Sequence, residues 1–546
     1  MWKKFFPEGR EGRRLAYSDY PVLPFYHHDG FSPRGRRWLT IGFFCISFLF
    51  GFWFAILPDH SKGMMTIPLA VMAAMILWLL PETGRPPTRI LAHLFFCYFV
   101  TLVLWPYYLA IQLPGMPLIE IRRFFLLLAV LALLISLSVS ADFKREMKDI
   151  MAARPLFFKF LLGFVAIQTL SVITSPYASN AIMVYMRYLL HWTAALFIAI
   201  YVLSRPGRVV TFSYLIIALG IILGVMAFFE MRNQQLLWAG HIPSFLQIDD
   251  PVMVSLLNPN FRAGEYRVKG PFTVSLTFAE FMCLTLPFFL QYIIFGRYLL
   301  LRLFFVACDL LVMNAIIDTQ ARVGIVGMIV AHAIYGLIWS LRFWRTRKNN
   351  IFGPAFALSY PVLGALFAVA MFSIGRLRKL WLGGAEQAAS TQARFGQAEA
   401  GIPLIFKQPI SGYGPNQGGR VLGFTNPAGE LTIDSGLLST GLDYGLFGFV
   451  LFYGMFIYML IEGMKLASTS TDREQSFAMP LAVTIAVWLT ARLVLSQEDN
   501  SSFMFMILGA LVALAYRRKK QEEGGILTQA SDAGDVAPGS PTFARS

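Results

Sequence analysis

Long apolar runs separated by polar breaks dominate this chain. They lie at 39–57, 64–80, 90–110, 124–140, 157–175, 182–203, 211–229, 272–295, 298–317, 323–341, 354–374, 436–462, 478–495 and 501–516. A helix needs about 20 mostly apolar residues to cross a bilayer. The pattern predicts an all-α, polytopic transmembrane helical bundle of about 14 spans. Two polar intervals are too long to be simple turns, 230–271 and 375–435. The second is expected to be partly helical. Phe395, Ala398, Ile402 and Ile405 recur at helical spacing, which predicts a helix from Glu386 to Phe406. The chain thus divides into an N-terminal segment at 1–38, a helical domain at 39–516 that includes both loops, and a tail at 517–546. From Gln521 on, small polar residues with Pro and Gly predict disorder.

Composition agrees with the pattern. The 546 residues are 56% hydrophobic and 14% charged, which no soluble globular domain matches. Fifty Phe and 11 Trp suit a protein whose partner is a lipid bilayer with aromatic-rich interfaces. The net charge of +15 is a topology signal here, not a nucleic-acid footprint. Most cations flank the runs on one side, including eight Lys/Arg in residues 1–37 and Arg517–Lys520 in the tail. The positive-inside rule then puts both termini in the cytoplasm. Two features break the trend. Arg122 and Arg123 open the fourth span on the outside, and both long outer loops are basic. The first loop carries Arg232, Arg262, Arg267 and Lys269; the second carries Arg376, Arg378, Lys379, Arg394, Lys407 and Arg420. Two basic outer loops suit an anionic ligand such as a diphosphate.

The chemistry-bearing residues are few. Arg187 falls inside a span, where a charge usually faces a cavity or a partner. It has two readings, a ligand contact or a structural pairing. His191, one turn on, reads as a structural hydrogen-bonding residue. Arg267 precedes a Gly270-Pro271 turn at the mouth of a span, where a helix N-terminus also favours an anion. Glu280 is a rare acid inside a span, either pairing with an Arg or acting on an acceptor. Arg322 follows Asp318 at i,i+4, the spacing of a surface salt bridge, and stands at a membrane mouth. Asp434 is either an N-cap for the next span or a proton acceptor, with Asp443 and Tyr444 as secondary candidates. The seven His form no metal-ligand spacing, and no Gly-Lys-Ser/Thr follows the Gly-rich turn at 412–419. No cofactor or metal is implied. Cys45, Cys97, Cys283 and Cys308 lie in apolar runs without a CxxC and read as small hydrophobes.

Arg394, the segment Pro409-Ile-Ser-Gly-Tyr-Gly-Pro415, Ile433-Asp434 and Gly445-Leu-Phe-Gly448 together resemble the signature loop of the O-antigen ligase/polymerase superfamily. The resemblance is best from about Arg187 to Gly448. It implies a metal-independent bacterial membrane glycosyltransferase that uses undecaprenyl-diphosphate-linked glycans at the periplasmic face of the inner membrane. It implies diphosphate or glycan contacts for Arg187, Arg267, Arg322 and Arg394, and acceptor activation for Asp434. A flippase and a chain-length regulator are the implied partners. The ligase branch commonly carries a His where Thr432-Ile433-Asp434-Ser435 stands. That departure favours a polymerase of surface or exopolysaccharide repeats over the alternative, an O-antigen ligase acting on lipid A core. A flippase or transporter is a third alternative, but no repeated halves are visible in the sequence.

Overall fold

The computed structural model describes residues 84–111, 119–246, 254–262, 264–346, 351–373, 385–425, 431–469 and 472–534, with scattered positions between 38 and 80. The expected spans at 39–57 and 64–80 lie largely outside the described residues. So do most of the segment 1–38, Arg376, Arg378 and Lys379 of the second loop, and the tail beyond Gly534. The chain forms two units. The first, residues 1–85 with 138–141, is tied within itself by the Gly84 amide donating to the Val139 carbonyl at 3.0 Å. The second, residues 86–137 and 142–546, holds everything described below.

All twelve expected runs that fall on described residues are helices. They are α1 (Thr88–Leu104), α2 (Ile121–Val139), α4 (Pro155–Thr174), α5 (Ala178–Leu203), α6 (Arg208–Asn233) and α7 (Ser275–Phe295). They continue with α8 (Leu299–Asp318), α9 (Arg322–Thr346), α10 (Phe352–Ser373), α12 (Gly436–Thr469), α13 (Ala478–Ala491) and α14 (Ser501–Gly534). Among the described residues nine are long and apolar enough to cross a membrane; α1, α10 and α13 are shorter apolar helices. The chain is therefore an all-α, polytopic membrane protein. Two of the longer helices among the described residues are not candidate spans. α3 (Ala141–Met151) buries Phe143, Met147 and Ile150 along one stripe and exposes Lys144, Arg145 and Lys148, the pattern of an amphipathic helix. α11 (Ala385–Lys407) is the loop helix expected at 386–406.

Burial ranks the helices. α7 and α14 are 78% and 89% buried over their apolar windows, so they form the centre; α2 and α4, at 28%, form the rim. An all-round apolar helix has no preferred face and belongs inside a bundle. Lipid tails are as apolar as Leu, so close packing and hydrogen bonds hold such helices together rather than apolar burial. Gly324 of α9 illustrates this: a Cβ there would lie 2.8 Å from Ile316 and 3.0 Å from Ala279.

Antiparallel alternation gives the unit two chemically distinct ends. At one end, Glu230 closing α6 accepts from the amides of Lys269 (3.0 Å) and Gly270 (2.9 Å), just before α7. At the other, Glu474 before α13 accepts from the Gly207 amide at 2.9 Å and pairs with Arg517 of α14. Arg205–Glu146 and Arg154–Glu462 lie at this second end. The last helix continues past the boundary expected at 516, through Gly534. Arg517–Glu474 together with the i,i+4 pairs Arg518–Glu522 and Lys519–Glu523 carries the helix through residues that composition alone assigned to a disordered tail.

Candidate functional site

The first end is assembled around a glycine-rich turn. The chain leaves α11 at Lys407 and passes Pro409–Gly419 against the start of α12. There Tyr413 and Gly414 donate to the carbonyls of Leu442 (2.9 Å) and Asp443 (3.0 Å), and Leu446 donates back to Pro409 (2.7 Å). The Asp443 carboxylate accepts from the Gly418 amide at 2.7 Å. Such contact between two backbones requires glycine. At Gly412 a Cβ would meet the Asp443 carbonyl at 2.5 Å. Gly445 has φ 69 and ψ −174, a conformation open essentially to glycine alone, and it breaks α12 there. The quoted signature Pro409–Pro415 and Gly445–Gly448 is therefore a clamp, and Asp443 belongs to it. Ser175, at the end of α4, adds a hydroxyl bond to the Tyr413 carbonyl at 2.7 Å.

The clamp sets the position of Asp434. Ser435, not Asp434, caps α12: its hydroxyl faces the Leu438 amide at 3.4 Å. Asp434 is thus released from the N-cap role. Its amide is held by the Gln397 side chain of α11 at 2.9 Å, and its carboxylate lies 3.9 Å from Arg394 of the same helix. The Nε of Arg394 is buried and makes no hydrogen bond among the described residues. Arg322, at the N-terminus of α9, lies within electrostatic reach of Arg394 and Arg262. Arg267 is buried beside Arg262 and donates from Nε to the Thr319 carbonyl at 3.0 Å. Loss of hydration and the neighbouring Arg262 charge push its guanidinium down to about 10. Lys269 of the same loop is tied to the Leu256 carbonyl at 2.6 Å and is a structural cation.

Arg187 stands elsewhere, in a cavity of about 550 Å³. Its lining carries the cations Arg122, Arg123 and Arg187 together with the acids Glu120, Glu498 and Asp499. Glu120 closes a short hairpin (Ala110–Ile111 with Ile119–Glu120) and holds Arg122 and Arg123 at 2.7 Å each. Arg122 also lies over the Tyr107 ring at 5.4 Å. The three guanidiniums are oriented in part by these neighbours, and together they present donors in the fork geometry that phosphate oxygens accept. Just after Arg187, α5 forms a π-helical turn at Leu189–Ala194, a feature frequent at functional sites. It follows the Tyr188 ring, which stacks on Trp192 at 4.0 Å. His191 lines the cavity and is hydrogen-bonded to the Tyr98 hydroxyl at 3.1 Å, the structural role expected of it.

Glu498 and Asp499 belong to the segment 492–500 between α13 and α14. Arg492 pairs with Glu280 of α7 and donates to the Gln497 carbonyl at 2.6 Å. Asn500 donates to Glu280 at 2.7 Å and to the Thr277 carbonyl at 2.9 Å. Of the two readings open for Glu280, the structure holds the Arg pair. Both members are almost fully buried, so loss of either leaves an uncompensated charge, at a cost of about 3–5 kcal/mol. Ser496 donates to the Ile433 carbonyl, joining this segment to the residue before Asp434. Asp499 accepts from the Thr273 hydroxyl at 2.7 Å. Glu498 is half-buried; desolvation pushes its carboxyl up to about 7 against the pull of Tyr188, Arg187 and Arg492.

The four predicted arginines therefore divide between two adjoining stations at one end of the unit. Arg187 lies in the cavity; Arg267, Arg322 and Arg394 lie in the second cluster and do not line it. Thr432 and Ile433 line the cavity immediately before Asp434. Sequence reasoning gave no role to Arg122, Arg123 or Glu498. The first two carried a signal, as the exception to the charge rule. Glu498 carried one also, as an acid in a five-residue outer segment.

No curated protein matches the chain. Residues 307–453 match the family model described as O-antigen ligase. The match spans Arg322, α11 with Arg394, the glycine clamp, Asp434 and the break in α12. Over these residues the chain is similar to the O-antigen ligase family, which supports the O-antigen ligase/polymerase-like superfamily resemblance.

Proposed function

We propose that this protein polymerises undecaprenyl-diphosphate-linked oligosaccharide repeats at the periplasmic face of a bacterial inner membrane. The observation that carries the reading is the cavity, whose lining brings guanidinium groups and carboxylates together. An acceptor hydroxyl attacks the anomeric carbon, the bond from that carbon to the diphosphate breaks, and the electron pair leaves with the polyprenyl diphosphate. Arg187, with Arg122 and Arg123, stabilises the charge that develops on the leaving oxygen, the role a metal ion plays elsewhere. Arg322 and Arg394 contact the glycan or its diphosphate from the second station, with Arg267 supporting them from behind. Asp434 orients the acceptor hydroxyl. Holding both sugars in one groove supplies the rest of the acceleration.

The test uses the full chain in nanodiscs with lipid-linked repeats extracted from cells that lack it. Arg187→Ala and Asp434→Ala are expected to insert normally and to lower long-chain product at least 100-fold on a polyacrylamide gel. Wild-type-like ladders from both variants would refute the assignment. The family description favours one competing reading, the ligase. That reading requires single transfers onto a lipid A core acceptor, with no ladder when the core is omitted.

A further inference from the structure

Resting on the transferase reading, we infer that Glu498 is the group that takes the proton from the acceptor hydroxyl. The cavity is not a simple anion trap. A site built only to hold diphosphate gains nothing from carboxylates in the same lining as the arginines, whereas a transferase needs both. The leaving group wants cations and the nucleophile wants a base.

Of the acids around the cavity, the others are engaged. Glu120 holds Arg122 and Arg123, and Asp499 accepts from Thr273. Asp434 lies outside the lining residues, 3.9 Å from Arg394. Glu498 lines the cavity on a segment tied down at several points: Arg492 to Glu280, Arg492 to Gln497, Ser496 to Ile433, and Asn500 to Thr277. Such anchoring fixes a base relative to the reacting atoms, which general-base catalysis demands before any question of pKa. Beside it stands the buried Tyr188 hydroxyl, which interacts with the Glu498 carboxylate and favours its ionised form.

The charged surroundings are mixed. The Tyr188 hydroxyl, Arg187 and Arg492 favour the ionised carboxylate; Asp499 on its own segment, and Asp443 with Tyr444 on α12, oppose it. Burial tips the balance, and the carboxyl sits at about 7, where both proton uptake and return are efficient near neutrality. In the step, the hydroxyl oxygen bonds to the anomeric carbon while its proton passes to Glu498. The departing diphosphate or water then recovers that proton, restoring the carboxylate.

The experiment measures initial rates against pH with the same extracted lipid-linked repeat. The wild-type kcat is expected to rise with pH through about 7 and then level, because only the ionised carboxylate accepts a proton. Glu498→Gln should lower kcat at least 100-fold, abolish that limb and leave donor KM within about threefold. Glu498→Asp should restore part of the rate with the limb shifted. Asp434→Asn should be slower yet keep the limb. A Glu498→Gln enzyme within a few-fold of wild type, or one that retains the limb, overturns the inference while leaving the transferase reading intact. A wild-type protein that turns over no lipid-linked repeat overturns the transferase reading instead, and this inference with it.

Discussion

Arginines at this end of the molecule are not equivalent, although the sequence presents them alike. Arg187 lines the open cavity, whereas Arg267 spends its Nε on the Thr319 carbonyl, which is itself fully buried. Truncating Arg267 therefore removes a hydrogen bond as well as a charge and strands a buried acceptor. Arg267→Ala is expected to destabilise by about 1–3 kcal/mol, read as a lower Tm in detergent. Arg187→Ala should change Tm little while weakening the Tm shift produced by undecaprenyl diphosphate. Equal Tm losses for the two would contradict the distinction. Serine–aspartate order matters in the same way. Because Ser435 takes the cap, Asp434 keeps its carboxylate for Arg394.

At the scale of elements, the informative pair is the glycine turn and the helix it grips. Neither folds into its observed shape without the other: the turn supplies amides for the Leu442 and Asp443 carbonyls, and the break at Gly445 makes room for Pro409. Gly445→Ala places a Cβ 2.5 Å from the Pro409 carbonyl oxygen and forces an alanine into a backbone region where strain alone costs about 1–3 kcal/mol. The expected result is a protein that inserts but exposes residues around 408–420 to protease and makes no polymer. Unchanged protection and turnover would show that the clamp is dispensable. The motif that carries the family resemblance is in this view scaffolding, while the groups on which the chemistry rests lie to either side of it.

For the whole molecule, the alternation of helices gathers the α6–α7 loop, α11, the clamp and the segment 492–500 at one end, away from the cluster at Arg205, Glu474 and Arg517. Past its break at Gly445, α12 continues through Thr469, about 36 Å at 1.5 Å per residue, enough to cross a bilayer core of about 30 Å. Its two ends are therefore expected to face opposite sides of the membrane. In a cysteine-free background, Phe395→Cys is expected to react with a membrane-impermeant maleimide in spheroplasts. Lys465→Cys should react only after permeabilisation. Both sites are well exposed, so the reverse pattern would place the cavity in the cytoplasm and remove the periplasmic reading.

Apolar runs determined the helices, because crossing a bilayer imposes a length and a polarity that local sequence must satisfy by itself. The loop helix at 385–407 was legible for a related reason: its apolar residues repeat every turn. The signature residues were legible as a pattern, and so was the superfamily. Which guanidiniums share a chamber was not, since Arg122, Arg187 and Glu498 are separated by tens to hundreds of residues and meet only when α2, α5 and the α13–α14 segment pack together. Charge order along a chain reports the side of the membrane; only packing decides which charges share a cavity, and that juxtaposition is what turns a basic rim into a site lined by both cations and acids.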